Sequence, residues 1–162
     1  NTVEILPTGL QLGGICSNKQ SVLEYKKNFD KNITLKLDLN IQKSKTVDIQ
    51  FSFGERLYVN FDNKKIKFKR KELYENNKQA IKTVKEINYT HFKNNYVYTI
   101  VFSRNFNIYT IKVIDSITKE VHSELEYLDD NKNIKIKQIY NNLRISVGNG
   151  NTKMLISNIE IY

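Results

Sequence analysis

Tryptophan is missing from this chain of 162 residues, and proline, cysteine and alanine occur once each, at Pro7, Cys16 and Ala80. Each scarcity excludes something. A lone cysteine forms no intrachain disulfide. Two histidines, His91 and His122, and no CxxC spacing leave no zinc-site signature. Neither histidine has a spacing that marks it as a catalytic partner, so Cys16 is expected to be a buried thiol near Leu12 and Ile15. One alanine against 20 isoleucines, with valine, tyrosine, phenylalanine and threonine abundant, argues against a helical bundle and for β structure. The apolar runs are too short to span a bilayer, so no transmembrane segment is expected. No signal-peptide pattern opens the chain, and its first residue is Asn1 rather than methionine. Residues 1–162 are therefore expected to be a single domain excised from a larger protein.

Arginine is scarce too. The chain carries 22 lysines against 4 arginines, with 21 asparagines and a net charge of +9. Such a charge invites a nucleic-acid reading. However, base recognition and bidentate phosphate clamps favour arginine, and the excess of lysine, asparagine and isoleucine matches the coding bias of an AT-rich genome. No specific nucleic-acid partner is expected.

What the chain has in abundance is alternation. Ile33, Leu35, Leu37, Leu39 and Ile41 interleave with Thr34, Lys36, Asp38, Asn40 and Gln42, the pattern of a strand with one face in a core and one in water. The pattern resumes at Val47, Ile49, Phe51 and Phe53, again at Leu57, Val59 and Phe61, and briefly at Ile66 and Phe68. Short polar turns between these four runs predict an antiparallel meander. From Lys71 to Ile87 the apolar residues fall near helical spacing, which predicts a short helix or long loop near 71–80 and then a strand near Ile81–Asn88. Strong strand signals return over Tyr96–Phe102, Tyr109–Val113, Val121–Tyr127, Ile134–Ile139, Leu143–Val147 and Leu155–Ile161. Arg104-Asn105-Phe106-Asn107 and Gly148-Asn149-Gly150-Asn151 are expected turns. The total is about 11–13 strands in an unbroken series, an all-β antiparallel two-sheet sandwich with room for one short helix near 71–80.

Several segments resemble the concanavalin A-like lectin/glucanase superfamily, which includes laminin G-like domains and carbohydrate-binding modules of jelly-roll type. Thr8-Gly9-Leu10-Gln11-Leu12 is similar to the first inward strand of such domains. Phe29 followed by Ile33-Thr34-Leu35-Lys36-Leu37 resembles the long strand that starts their main sheet. Asn95 to Ile100 resembles the strand leading into a hairpin, and Ile156-Ser157-Asn158-Ile159-Glu160-Ile161 resembles the closing strand. The resemblance implies a jelly roll. It also implies either glycoside hydrolysis or non-catalytic glycan binding.

Hydrolysis in this superfamily places acidic residues at alternate positions of one strand, so that two carboxylates face one sugar. Glu124-Leu125-Glu126 comes nearest, and Asp129-Asp130 follows it out of phase. The reading preferred is therefore a non-catalytic, lectin-like accessory domain of a secreted or surface protein. Its partner would be a glycan, neutral or anionic. One alternative is a protein–protein interaction module of adhesin or toxin type, which would meet a cell-surface protein. The other is a hydrolase whose carboxylates come from separate strands. Sugars are held by planar aromatics and by fixed amide, carboxylate and guanidinium groups. The outward face of the expected meander offers Asp38, Asn40, Asp48, Gln50, Ser52, Tyr58 and Asn60, with Arg144 and Ser146 beside it. Gln50, Tyr58, Asn60 and Arg144 are the sheet-face candidates. Arg104, Phe106 and Tyr140 are the loop candidates. No catalytic residue and no metal ligand is assigned and no cofactor is required. Calcium, common in the superfamily, is left open at Asp129-Asp130-Asn131, which otherwise reads as a solvated turn with Lys132 opposing a cation.

Overall fold

Period-two patterns need a partner face, and here two sheets supply it for each other. The computed structural model describes residues 3–13, 21–29, 31–43, 47–54, 56–73, 79–90, 92–130, 141–148 and 152–162. Among these lie thirteen strands and no helix: β1 (Val3–Leu6), β2 (Gly9–Gly13), β3 (Ser21–Asn28), β4 (Asn32–Lys43), β5 (Asp48–Phe53), β6 (Leu57–Asp62), β7 (Lys65–Leu73), β8 (Gln79–Asn88), β9 (Val97–Asn105), β10 (Ile108–Asp115), β11 (Val121–Leu128), β12 (Asn141–Val147) and β13 (Lys153–Ile161). A seven-stranded sheet runs β1-β2-β13-β4-β9-β10-β11, and a six-stranded sheet runs β3-β12-β5-β6-β7-β8. Every pairing is antiparallel. The result is the expected all-β jelly-roll sandwich.

The core is the set of inward residues that the alternation marked. Leu35, Leu37, Leu39, Ile100, Phe102 and Ile111 come from one sheet, and Ile49, Phe51, Val59, Phe61 and Ile145 from the other; all are fully buried. The rings of Phe53 and Phe102 stack across the gap with centroids 4.6 Å apart. Each large apolar side chain so buried contributes about 1.5–3 kcal/mol.

Three expectations need correcting. The helix near 71–80 is absent among the described residues: β7 runs through Leu73 and β8 begins at Gln79, and the two pair from Lys65↔Asn88 to Leu73↔Gln79. The near-helical spacing arose because β8 is an edge strand whose residues are exposed or only half-buried, so neither face enforces alternation. The meander is β5-β6-β7-β8, and β4 belongs to the other sheet between β13 and β9. Asp38 and Asn40 therefore lie on the opposite outer face from Gln50 and Tyr58. Finally, Arg104 sits inside β9 rather than in a turn, and the turn proper is Phe106–Asn107. Cys16, His91, Tyr140, the strand expected over Ile134–Ile139 and the turn at 149–151 lie outside the described residues.

Candidate functional site

The register of the six-stranded sheet aligns one outward row across all six strands. Glu24 faces Arg144, Arg144 faces Ser52, Ser52 faces Tyr58, Tyr58 faces Lys69, and Lys69 faces Thr83. The parallel row beside it is Val22, Ser146, Gln50, Asn60, Lys67 and Glu86. These rows exist because residues at alternate positions of a strand share a face and antiparallel pairing sets them opposite one another.

A cleft of about 280 Å³ opens over this face. Gln50, Tyr58 and Arg144, three of the sheet-face candidates, line it with Glu24, Ser52, Gly54, Lys71, Ile81, Asn142 and Ser146. Gly54 closes one end of the β5–β6 connection. Its φ of +78° lies in the left-handed region that favours glycine, and its N–H donates to the Asn142 carbonyl at 2.9 Å. Burial, and then the charge of Asp48, raises the Tyr58 hydroxyl above its usual range, so it stays a neutral hydrogen-bonding group at physiological pH. Arg144 is half-buried, and its Nε is enclosed with no hydrogen-bond partner among the described residues.

The neighbouring half of the same face is closed upon itself. The Asn60 amide is buried and donates to Asp48 Oδ1 at 2.8 Å. Gln50 Nε2 reaches the same oxygen at 3.4 Å. Lys67 pairs with Asp62 at 2.5 Å, and Lys65 pairs with Glu86. Asn60 thus braces the floor beside the cleft and does not line it.

The loop candidates scatter. Arg104 is 1% exposed; its Nε donates to the Lys31 carbonyl at 3.2 Å and its guanidinium lies 5.9 Å from the Phe53 ring. Phe106 is 56% exposed at the β9–β10 turn, with Lys31 Nζ 5.7 Å from its ring centre. Its neighbours are Lys31 and Asn32 rather than the cleft.

The acidic loop also departs from expectation. Asp129 is 3% exposed, not solvated. Arg56 grips it with Nε 2.9 Å from Oδ2 and Nη2 3.1 Å from Oδ1, and Arg70 Nη1 lies 3.3 Å from Oδ1. Arg70 also donates to Glu72 at 2.7 Å and to the Tyr127 hydroxyl at 2.8 Å. This cluster plugs the sandwich where β7 meets the end of β11. Spacing gave no hint of it, because Tyr127 and Asp129 lie 57 to 73 residues from the arginines they meet. The usable signal was that arginine appears at all in a lysine-dominated chain.

A second concavity differs in character. Leu23, Tyr25, Leu143, Ile145, Ile159 and Ile161, with Glu24, line a slot of about 190 Å³. It opens beside β3 because β2 pairs only with Lys153–Ile156 of β13 and leaves the rest of that strand uncovered on one side.

Several solved structures share this fold. The structure superposes on the VIP36 exoplasmic/lumenal domain in its Ca2+/Man3GlcNAc-bound form with a TM-score of 0.74 at 9% identity, covering 99% of this chain and 82% of that one. The fold is that of the concanavalin A-like lectins. The carbohydrate-binding module CBM66 from Bacillus subtilis is also similar, with a TM-score of 0.60, 12% identity, and coverage of 99% of this chain and 90% of that one. So is the botulinum neurotoxin serotype D binding domain, at 0.59 and 11%, where the whole of this chain spans 41% of that one. At these identities the likeness speaks of fold alone. No family model and no curated protein matches the sequence.

Among the described residues no group of three or more His, Cys, Asp or Glu side chains is arranged to hold a metal ion, and no helix is long and apolar enough to cross a membrane.

Proposed function

We propose that this chain is a non-catalytic glycan-binding domain whose ligand lies in the cleft on the outer face of the six-stranded sheet. The observation that carries the reading is the convergence there of one half-buried tyrosine, amide and hydroxyl groups at Gln50, Asn142, Ser52 and Ser146, and the Arg144 guanidinium. A tyrosine ring covers the apolar face of a sugar, and the fixed donors and acceptors pair with its hydroxyls. Glu24 is the one carboxylate among the lining residues, whereas glycoside hydrolysis uses two. Lectins and a carbohydrate-binding module among the proteins of like fold support the reading. The domain would act as an accessory unit of a secreted or cell-surface bacterial protein.

Calorimetric titration against a panel of neutral and acidic oligosaccharides tests this. Binding is expected, and Tyr58→Ala should weaken it at least tenfold while leaving the melting temperature within a few degrees. A panel in which nothing binds overturns the reading. The proposed contacts are all protein groups, so EDTA should leave affinity unchanged; loss of binding that added calcium restores would place a cation in the site.

A protein-binding alternative is favoured by one feature, the apolar slot beside β3. In that case Ile159→Lys would abolish partner binding and spare all glycan binding.

A further inference from the structure

The cations of the sheet face divide into two populations. Lys65 and Lys67 are ion-paired to Glu86 and Asp62. On the opposite face Lys36 pairs with Glu160 at 3.1 Å and Lys112 with Glu124 at 2.9 Å. Lys69, Lys71 and Arg144 have no ion-pair partner among the described residues, and all three are half-buried. They also gather at the cleft: Arg144 and Lys71 line it, and Lys69 stands next to Tyr58 in the same row as Arg144. The one carboxylate present, Glu24, stands beyond Arg144 at the edge strand and makes no ion pair with it.

Their arrangement has a direction. Arg144 is on β12 and Lys71 on β7, with β5 and β6 between them. Three strand spacings amount to about 14 Å. Between the two cations lie the Ser52 hydroxyl and the Tyr58 ring. The two cations thus rise from well-separated strands on either side of the cleft, a placement that suits an extended ligand carrying a charge toward each end. A half-buried guanidinium with no ion-pair partner among the described residues is also the group best shaped to take an oxyacid, since its fork meets two oxygens at once. Desolvating a cation is unfavourable unless a partner arrives, so three half-buried, unpaired cations around one aromatic ring mark a place completed by an anion.

We infer that the ligand of the cleft is an acidic oligosaccharide lying across the strands, with anionic groups at Arg144 on one side and Lys71 on the other and a sugar ring against Tyr58. This rests on the glycan reading and narrows it to one ligand class. The acid is a sugar-borne carboxylate or a sulfate ester, which share the same oxyanion chemistry.

The test is calorimetry at fixed ionic strength with four probes. These are a tetrasaccharide of galacturonic acid, its carboxyl-reduced neutral counterpart, a sulfated chondroitin tetrasaccharide, and a short oligothymidylate as an anion without sugar acids. One acidic sugar should bind at least tenfold more tightly than the neutral one, and the tighter acidic arm identifies the acid. Arg144→Gln and Lys71→Gln should each cost that arm about tenfold, with unchanged melting temperatures because both side chains face the cleft rather than the core. Lys71→Arg should retain binding, and Glu24→Gln should strengthen it severalfold. Equal affinity for the neutral sugar overturns the acidic class and leaves glycan binding standing. Failure of all three sugars overturns both. Oligothymidylate binding as tightly as the best sugar replaces the inference with plain charge attraction.

Discussion

Four arginines stand in a chain that otherwise writes its positive charge as lysine, and each does something a lysine would do poorly. Arg56 and Arg70 share one buried carboxylate at Asp129, Arg104 combines a carbonyl contact with the Phe53 ring, and Arg144 brings an unpaired fork to the cleft. A planar guanidinium donates in several directions at once, whereas an ammonium is a compact, strongly hydrated point. Removing the shared anion sets two buried cations side by side, with Glu72 still paired to Arg70. Asp129→Asn is therefore expected to destabilise the fold by about 3–5 kcal/mol, read from urea unfolding followed by circular dichroism. Asp115 allows a sharper test. The Tyr96 hydroxyl, 2.5 Å away, and then the Thr118 and Ile117 N–H groups hold its carboxyl down to about 2. A depressed carboxylate contributes stability that is present above its unfolded value, near 4, and is lost as pH falls toward 2. Tyr96→Phe removes the largest of these contacts. The variant should lose part of that stability at neutral pH and show a weaker pH dependence between roughly pH 4 and pH 2, measured by thermal melts across that range.

Strands with both neighbours in place were legible residue by residue, whereas the start of the edge strand β8 was not. The burial of β4 and β5 follows their alternation residue by residue because a sheet neighbour on each side and a core beneath force it. At β8 only one neighbour exists, and the residues there recorded a spacing with no core behind it. The assignment of β4 to one sheet and β5 to the other left no mark either, since both show the same period of two; long-range register decides it. The β1–β2 hairpin shows what register demands of a single residue. Gly9 has a φ of +140°, and a Cβ placed on it would lie 2.2 Å from the Ile156 carbonyl oxygen of β13. Gly9→Ala should thus cost about 1–3 kcal/mol through strain. It should also speed hydrogen exchange across β1, β2 and the first half of β13 before the rest of the sheet, as seen by native-state exchange.

At the scale of the molecule, four lysines of the two outer faces are held in ion pairs, while the cations at the cleft have none among the described residues. Gln50, Tyr58 and Arg144 were recognisable from their outward positions in strands. Lys69 and Lys71 were not, because nothing in a lysine-rich sequence separates a lysine with a glutamate across the strand from one without; only cross-strand pairing does so. That difference makes local and global electrostatics separable. Lys69→Gln with Lys71→Gln, and Lys36→Gln with Lys112→Gln, each lower the net charge of +9 by two. The first pair strips the cleft, while the second touches only ion-paired lysines on the other sheet. If attraction by the whole positive field governed binding, both doubles would weaken an acidic oligosaccharide equally and high salt would erase the remainder. With the anion seated between Arg144 and Lys71, the cleft double should lose at least tenfold in affinity and the opposite-face double less than twofold, measured side by side at 0.15 M salt.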